Sequence, residues 1–110
     1  MIEKIVLDYL NEKIDVDCYM EAPKNKTTFI IIEKTGSRQD DRIFEATIAI
    51  QSYAKSMYKA SELNEKVKAA MLDITELNEI CRCRLNSDYN YTDIETKQYR
   101  YQAVYDLIHY

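Results

Sequence analysis

The chain has 110 residues, 46% hydrophobic and 31% charged, which is the balance of a folded domain and excludes a disordered segment. A formal net charge of −4, with bases scattered among acids, argues against a general nucleic-acid binder, because phosphate contacts need a concentrated basic face. The length suits one domain with one core, and a single Gly and a single Pro leave no candidate linker, so residues 1–110 read as a single α+β domain.

The longest apolar runs, such as residues 29–32, fall far short of a membrane span. The first residues carry charges where a signal peptide needs its apolar stretch, which points to synthesis in the cytosol. Three cysteines, an odd number, fit a reducing compartment with no disulfide framework.

In chain order, Ile2, Ile5, Val6, Tyr9 and Leu10 recur at spacings of three and four and predict a helix to about Lys13. Residues 17–20 offer a short strand, and residues 21–26 a turn around Pro23. The β-branched, apolar residues 27–35 predict an inner strand. Residues 36–41 are polar and hold the only glycine, so a hairpin connection is expected there. Residues 42–53 alternate, with Phe44, Ala46, Ile48 and Ile50 on one face. That is a strand of roughly 40 Å if fully extended, against a usual length of about 5 to 6 residues.

From about residue 56 to 73 the period is helical again, with Ala60, Leu63, Val67, Ala70, Met71 and Ile74 on one stripe. Residues 80–86 alternate, placing Cys81, Cys83 and Leu85 on one face and Arg82 and Arg84 on the other. Residues 86–96 read as a polar, aromatic connection, and residues 97–108 as a second long strand carrying Tyr99, Tyr101, Ala103, Tyr105 and Leu107. The expected fold is a mainly antiparallel sheet of four or five strands with two helices packed on one face, in the order α-β-β-β-α-β-β. Sequence neighbours among the strands are expected to pair antiparallel. The other sheet face, rich in Thr, Gln, Arg and Tyr, is left to solvent or to a neighbour.

Motifs for chemistry are sparse. Cys81-Arg82-Cys83 offers two thiolates, but a structural zinc needs about four ligands, and Cys18 and His109 have no ligand partner near them in sequence. The cysteines therefore read as small apolar residues, and no metal or other cofactor is expected. His109 falls at an end expected to fray, with no nucleophile-elbow or Cys/His signature to accompany it. One glycine rules out GxxxxGK[ST] and GxGxxG phosphate cradles. Asp40-Asp41 and the pair Asp15 and Asp17 suit solvated turns better than acid/base work, so no enzyme is expected. Ten Tyr and no Trp supply rigid surfaces of the kind enriched in protein interfaces, or else cross-strand pairs inside a sheet.

The run Phe29-Ile30-Ile31-Ile32-Glu33-Lys34-Thr35-Gly36 comes first, followed by Ala49-Ile50-Gln51-Ser52-Tyr53-Ala54. The helix with Ala60, Leu63, Val67 and Met71 comes next, then Asn86-Ser87-Asp88-Tyr89-Asn90 and Tyr99-Arg100-Tyr101-Gln102-Ala103. Together these resemble the tail-terminator and tail-completion proteins of long-tailed bacteriophages and prophages over nearly the whole chain. The resemblance implies a mixed α/β sandwich of one sheet and two helices, and a structural virion subunit that forms a ring, commonly a hexamer, at the head-proximal end of the tail tube. Such a ring ends tube growth and enables head–tail joining. Its implied partners are further copies of itself, the tail tube protein and a head completion or connector protein, with no nucleic-acid specificity and no membrane. The implied location is the virion tail, assembled in the bacterial host cytoplasm.

A ring needs one surface to complement a different surface of the next copy. Early acids Asp8, Glu12, Asp15 and Asp17 and later bases Lys24, Lys26, Lys34, Arg38 and Arg42 either steer copies together or line solvated faces. Residues 36–41 and 88–97 are expected to be mobile loops that order on assembly, with Arg38, Asp40, Tyr89 and Tyr91 as candidate contacts to a subunit or the tube. Simply solvated loops are the other possibility. A small dimeric α+β binding or regulatory module is the alternative function, distinguished from a ring by mass in solution.

Overall fold

Ile2, Val6, Tyr9 and Leu10 are the buried side chains of α1 (Ile2–Lys13) in the computed structural model, which describes residues 1–110. The helix stops where Ile14 turns extended, although its N–H still reaches the Leu10 carbonyl at 2.9 Å. Then follow β1 (Cys18–Tyr19), β2 (Phe29–Asp40), β3 (Ile43–Ala54) and α2 (Met57–Met71). The Ser56 hydroxyl starts α2 by accepting the Lys59 N–H at 3.1 Å, satisfying one of the unpaired donors of the first turn. A single 3-10 turn (Ile74–Glu76) leads to β4 (Ile80–Asn90) and β5 (Tyr99–His109). The order α-β-β-β-α-β-β is the one expected.

The five strands form one sheet in the order β1-β2-β3-β5-β4. Pairing is antiparallel except between β1 and β2, which run parallel, so the expectation of antiparallel neighbours fails at that pair. Only Cys18 with Ile30 and Tyr19 with Ile31 are in register. Residues 20–28 suffice to loop back for so short a strand, whereas a full parallel strand needs a crossover of a dozen or more residues. The Asn11 side-chain oxygen fixes the start of β1 by accepting the Cys18 N–H at 2.9 Å.

Register places Ile30, Ile32, Ala46, Ile48, Ile50, Ala103, Tyr105 and Leu107 on one face of the sheet. All eight belong to the main core cluster together with Val6 and Leu10 of α1 and Leu63, Val67 and Met71 of α2. Both helices therefore share one core with the same sheet face. The opposite face has no helix over it. It carries a small cluster of Phe29, Ile31 and Tyr53, in which the Phe29 and Tyr53 rings stack at 4.5 Å.

Three details correct the expectation for the connections. Residues 36–40 are not a loop: β2 continues to Asp40, past an irregularity between Lys34 and Gly36, and pairs with β3 throughout. The hairpin turn lies at Asp41 and Arg42, where Asp41 takes the left-handed φ of 60° that an aspartate tolerates. The polar stretch of residues 86–90 is likewise strand, paired from Asn90 with Tyr101 back to Ser87 with Val104. Its polarity reflects an edge strand, and Asp88 finds partners on α2. Finally, a bulge between Ile80 and Arg82 breaks the alternation, so Ile80 takes the core position with Cys83, and Cys81 is exposed.

Candidate assembly surface

On the uncovered face, polar side chains from three strands, β3, β5 and β4, close hydrogen-bonded rows. Across one row, Gln51 Nε2 donates to Gln102 Oε1 at 2.8 Å, and Gln102 Nε2 donates to the Tyr89 hydroxyl. Across another, the Thr47 hydroxyl donates to Asp106 Oδ1 at 2.9 Å while Asn86 Nδ2 donates to Asp106 Oδ2 at 2.9 Å. Gln102 is buried in this way without any covering layer. The rows hold their side chains in fixed positions, the condition for a surface that meets a partner with little loss of side-chain freedom.

At one end of this face Arg100 links the aromatic residues. Its guanidinium lies 4.5 Å from the Tyr91 ring centroid and 5.5 Å from that of Tyr53, and it donates to the Tyr91 carbonyl at 2.7 Å and to the Tyr53 hydroxyl at 2.8 Å. Tyr89 and Tyr91 meet edge to face with centroids 5.9 Å apart, and both stay about two-fifths exposed. The β4–β5 connection beyond them is set by Asp93, whose carboxylate accepts the Glu95 and Thr96 N–H groups at 3.1 and 3.5 Å. Hydrogen bonding from Thr96 holds the Asp93 carboxyl below its usual pKa.

The other two predicted contact residues lie elsewhere. Arg38 donates to Glu45 Oε2 at 2.7 Å across β2 and β3, and Asp40 is exposed beside the turn. Strand register puts the Arg38 row level with Ile108 of β5 and the Tyr89 row level with Gln102, so the two groups stand roughly 20 Å apart along the strand. Tyr89 and Tyr91 are brought together; Arg38 and Asp40 form a separate group at the opposite end.

Several charges expected to steer neighbouring copies pair inside the subunit instead. Lys26 Nζ reaches the Tyr19 hydroxyl and Asp17 Oδ2, each at 2.9 Å; the Tyr19 and then the Asp17 hydrogen bond raise the Lys26 pKa, the Lys26 hydrogen bond lowers that of Asp17, and Lys4 meets Asp8 at 2.8 Å. Lys34 approaches Glu3 at 3.9 Å. Charges the sequence left unremarked matter more to the geometry. Arg82 and Arg84, placed in the sequence only on the strand face opposite Cys83, stand on the uncovered face opposite Ile108 and Asp106. Asp88 accepts from the buried Asn64 amide at 2.6 Å and from Lys68 at 2.7 Å, tying the edge strand to α2. No sequence signal joins residues 64, 68 and 88.

Cys18 lies in β1 and Cys83 in β4, at opposite edges of the sheet. Burial pushes the Cys83 thiol up to about 11 and the Cys18 thiol up to about 12, so both are neutral near pH 7, and a neutral thiol is a poor nucleophile and metal ligand. No three His, Cys, Asp or Glu side chains group closely enough to hold a metal ion. His109 closes β5 where a frayed end was expected, with its ring stacked on Phe44 at 5.5 Å.

No family model and no curated protein matches this chain. No helix is long and apolar enough to cross a membrane.

Proposed function

We propose that this chain is a structural virion subunit that assembles into a ring, hexameric by the resemblance, at the head-proximal end of a phage tail tube. There it ends tube growth and enables head–tail joining. One observation supports this most directly. The sheet has both helices on one side and, on the other, a preorganised polar face edged by exposed tyrosines, within the one-sheet, two-helix fold that the resemblance implies. A surface of this kind suits docking against protein and has no need of catalysis. The partners are other copies of the chain, the tail tube protein and a head completion or connector protein, in the virion tail assembled in the host cytoplasm.

Electron microscopy of the purified protein mixed with tail tubes tests the proposal. Rings capping one tube end, with tube growth stopped, are the expected result. A dimer in solution that leaves tube length unchanged would overturn it in favour of a small binding module.

A further inference from the structure

The edge strand β4 and the β2–β3 turn on the other side of the sheet carry opposite, unpaired charges toward the same end of the strands. On β4, Arg82 and Arg84 are exposed and have no ion-pair partner. They border a depression of about 490 Å³ on the uncovered face, which Gly36, Arg38, Glu45, Thr47 and Asp106 also line; Glu45 is paired with Arg38, and Asp106 accepts from Thr47 and Asn86, which leaves Arg82 and Arg84 as its unpaired charges. Across the sheet the β2–β3 turn presents Asp40 and Asp41, exposed and equally unpaired, with Arg42 as the one base of the turn itself. Arg38, Glu45, Ile108 and Arg82 form one row across the sheet, and Asp40 lies two residues beyond it, roughly 7 Å.

Gly36 adds a second observation. It has no positive φ, and a Cβ built on it meets nothing within 4 Å, so neither backbone nor packing calls for glycine. By register it shares the uncovered face with Thr47. The missing side chain leaves the depression open.

We propose that the β2–β3 turn of one copy seats its Asp40 and Asp41 carboxylates against Arg82 and Arg84 of the next copy, in the depression kept open by Gly36. This rests on the ring proposed above and names the contact that builds it. The acids cannot reach these arginines within their own chain. Three strand spacings of about 4.8 Å separate β4 from β2, more than the Debye length of about 8 Å at physiological ionic strength. Between copies, guanidinium and carboxylate make paired, charge-assisted hydrogen bonds. Matched height matters as much as matched charge. A head-to-tail contact between surfaces near one level relates copies by rotation with little climb, one of the conditions for a closed ring. Each side of the molecule is large enough: 44 by 23 Å is about 1,000 Å², against about 800 Å² per partner in a stable interface.

The test uses the full chain with two charge variants and one space-filling variant, measuring mass by analytical ultracentrifugation and folding by thermal melting. Arg82→Glu with Arg84→Gln, and separately Asp40→Arg with Asp41→Asn, should each weaken association roughly 30-fold or more. Asparagine tolerates the left-handed backbone at position 41. Gly36→Val should also weaken association while the melting temperature holds or rises. Mixing the two charge variants should restore assembly, because each turn then meets a complementary depression only on the other variant. Assembly should weaken as salt rises. If the first variant associates as the original chain does, or the mixture stays monomeric, the contact is overturned and the ring stands or falls on tube capping alone. A chain that is monomeric even at roughly millimolar concentration overturns the contact too.

Discussion

Burial at Cys83 sets a rate that can be measured. An ordinary thiol of pKa 9.0 is half ionised at pH 9, whereas one pushed up to about 11 is ionised in about one molecule in a hundred. Alkylation of Cys83, followed by mass spectrometry of its peptide, should therefore rise with pH toward a midpoint of about 11, and a midpoint near 9 would place the thiol in water. The linkage has a definite sign. The folded state favours the neutral thiol, so the stability it contributes is complete below pH 9 and is lost as pH rises through about 11. Asp88 makes a second residue-level case. Asp88→Ala leaves the Asn64 amide, 2% exposed, without its acceptor, which should cost about 1 to 3 kcal/mol in chemical denaturation. An unchanged midpoint would mean that water replaces the carboxylate.

The helices were legible because their burial follows one period. Val67 and Met71 were expected under α2, and they are 0% and 1% exposed. Val67→Asp places a charge where about 1.5 to 3 kcal/mol of apolar burial is also lost, so a loss of several kcal/mol is expected. An unchanged melting temperature would contradict the packing of this helix face. The long alternating strand β3 was equally plain in the sequence, since its core-facing Ala46, Ile48 and Ile50 keep a strict period of two. The ends of β2 and β4 were not. The edge strand β4, and β2 beyond its two-residue pairing with β1, have an open side along much of their length, so residues 36–40 and 86–90 carry the composition of loops while their backbones remain paired. Bulges hide in the same way, because one extra residue leaves no mark in composition. That is why Cys81 was assigned to the core face and Ile80 took its place.

At the scale of the molecule, the four predicted contact residues divide into two places on a body 44 Å long. Composition could point to polar, aromatic stretches but could not say how far apart the fold carries them. Tyr89 and Tyr91 gather at the end where Arg100 stacks on Tyr91, while Arg38 and Asp40 lie toward the β2–β3 turn, roughly 20 Å away along the strands. One short segment of a neighbour cannot cover both groups. If the turn end joins copies to one another, the tyrosine end is left for the tube or head partner, and the two functions should separate by mutation. Tyr89→Ser with Tyr91→Ser removes an edge-to-face pair worth about 0.5 to 1.5 kcal/mol and a cation–π contact worth about 0.5 to 1, and takes from the buried Gln102 amide an acceptor worth about 1 to 3 kcal/mol. The domain should fold with a lower melting temperature. Sedimentation should still find the self-association of the original chain, while an assembly reaction yields overlong or headless tails. Loss of self-association in a folded variant would place the tyrosines in the contact between copies, and fully infectious particles would remove them from the mechanism.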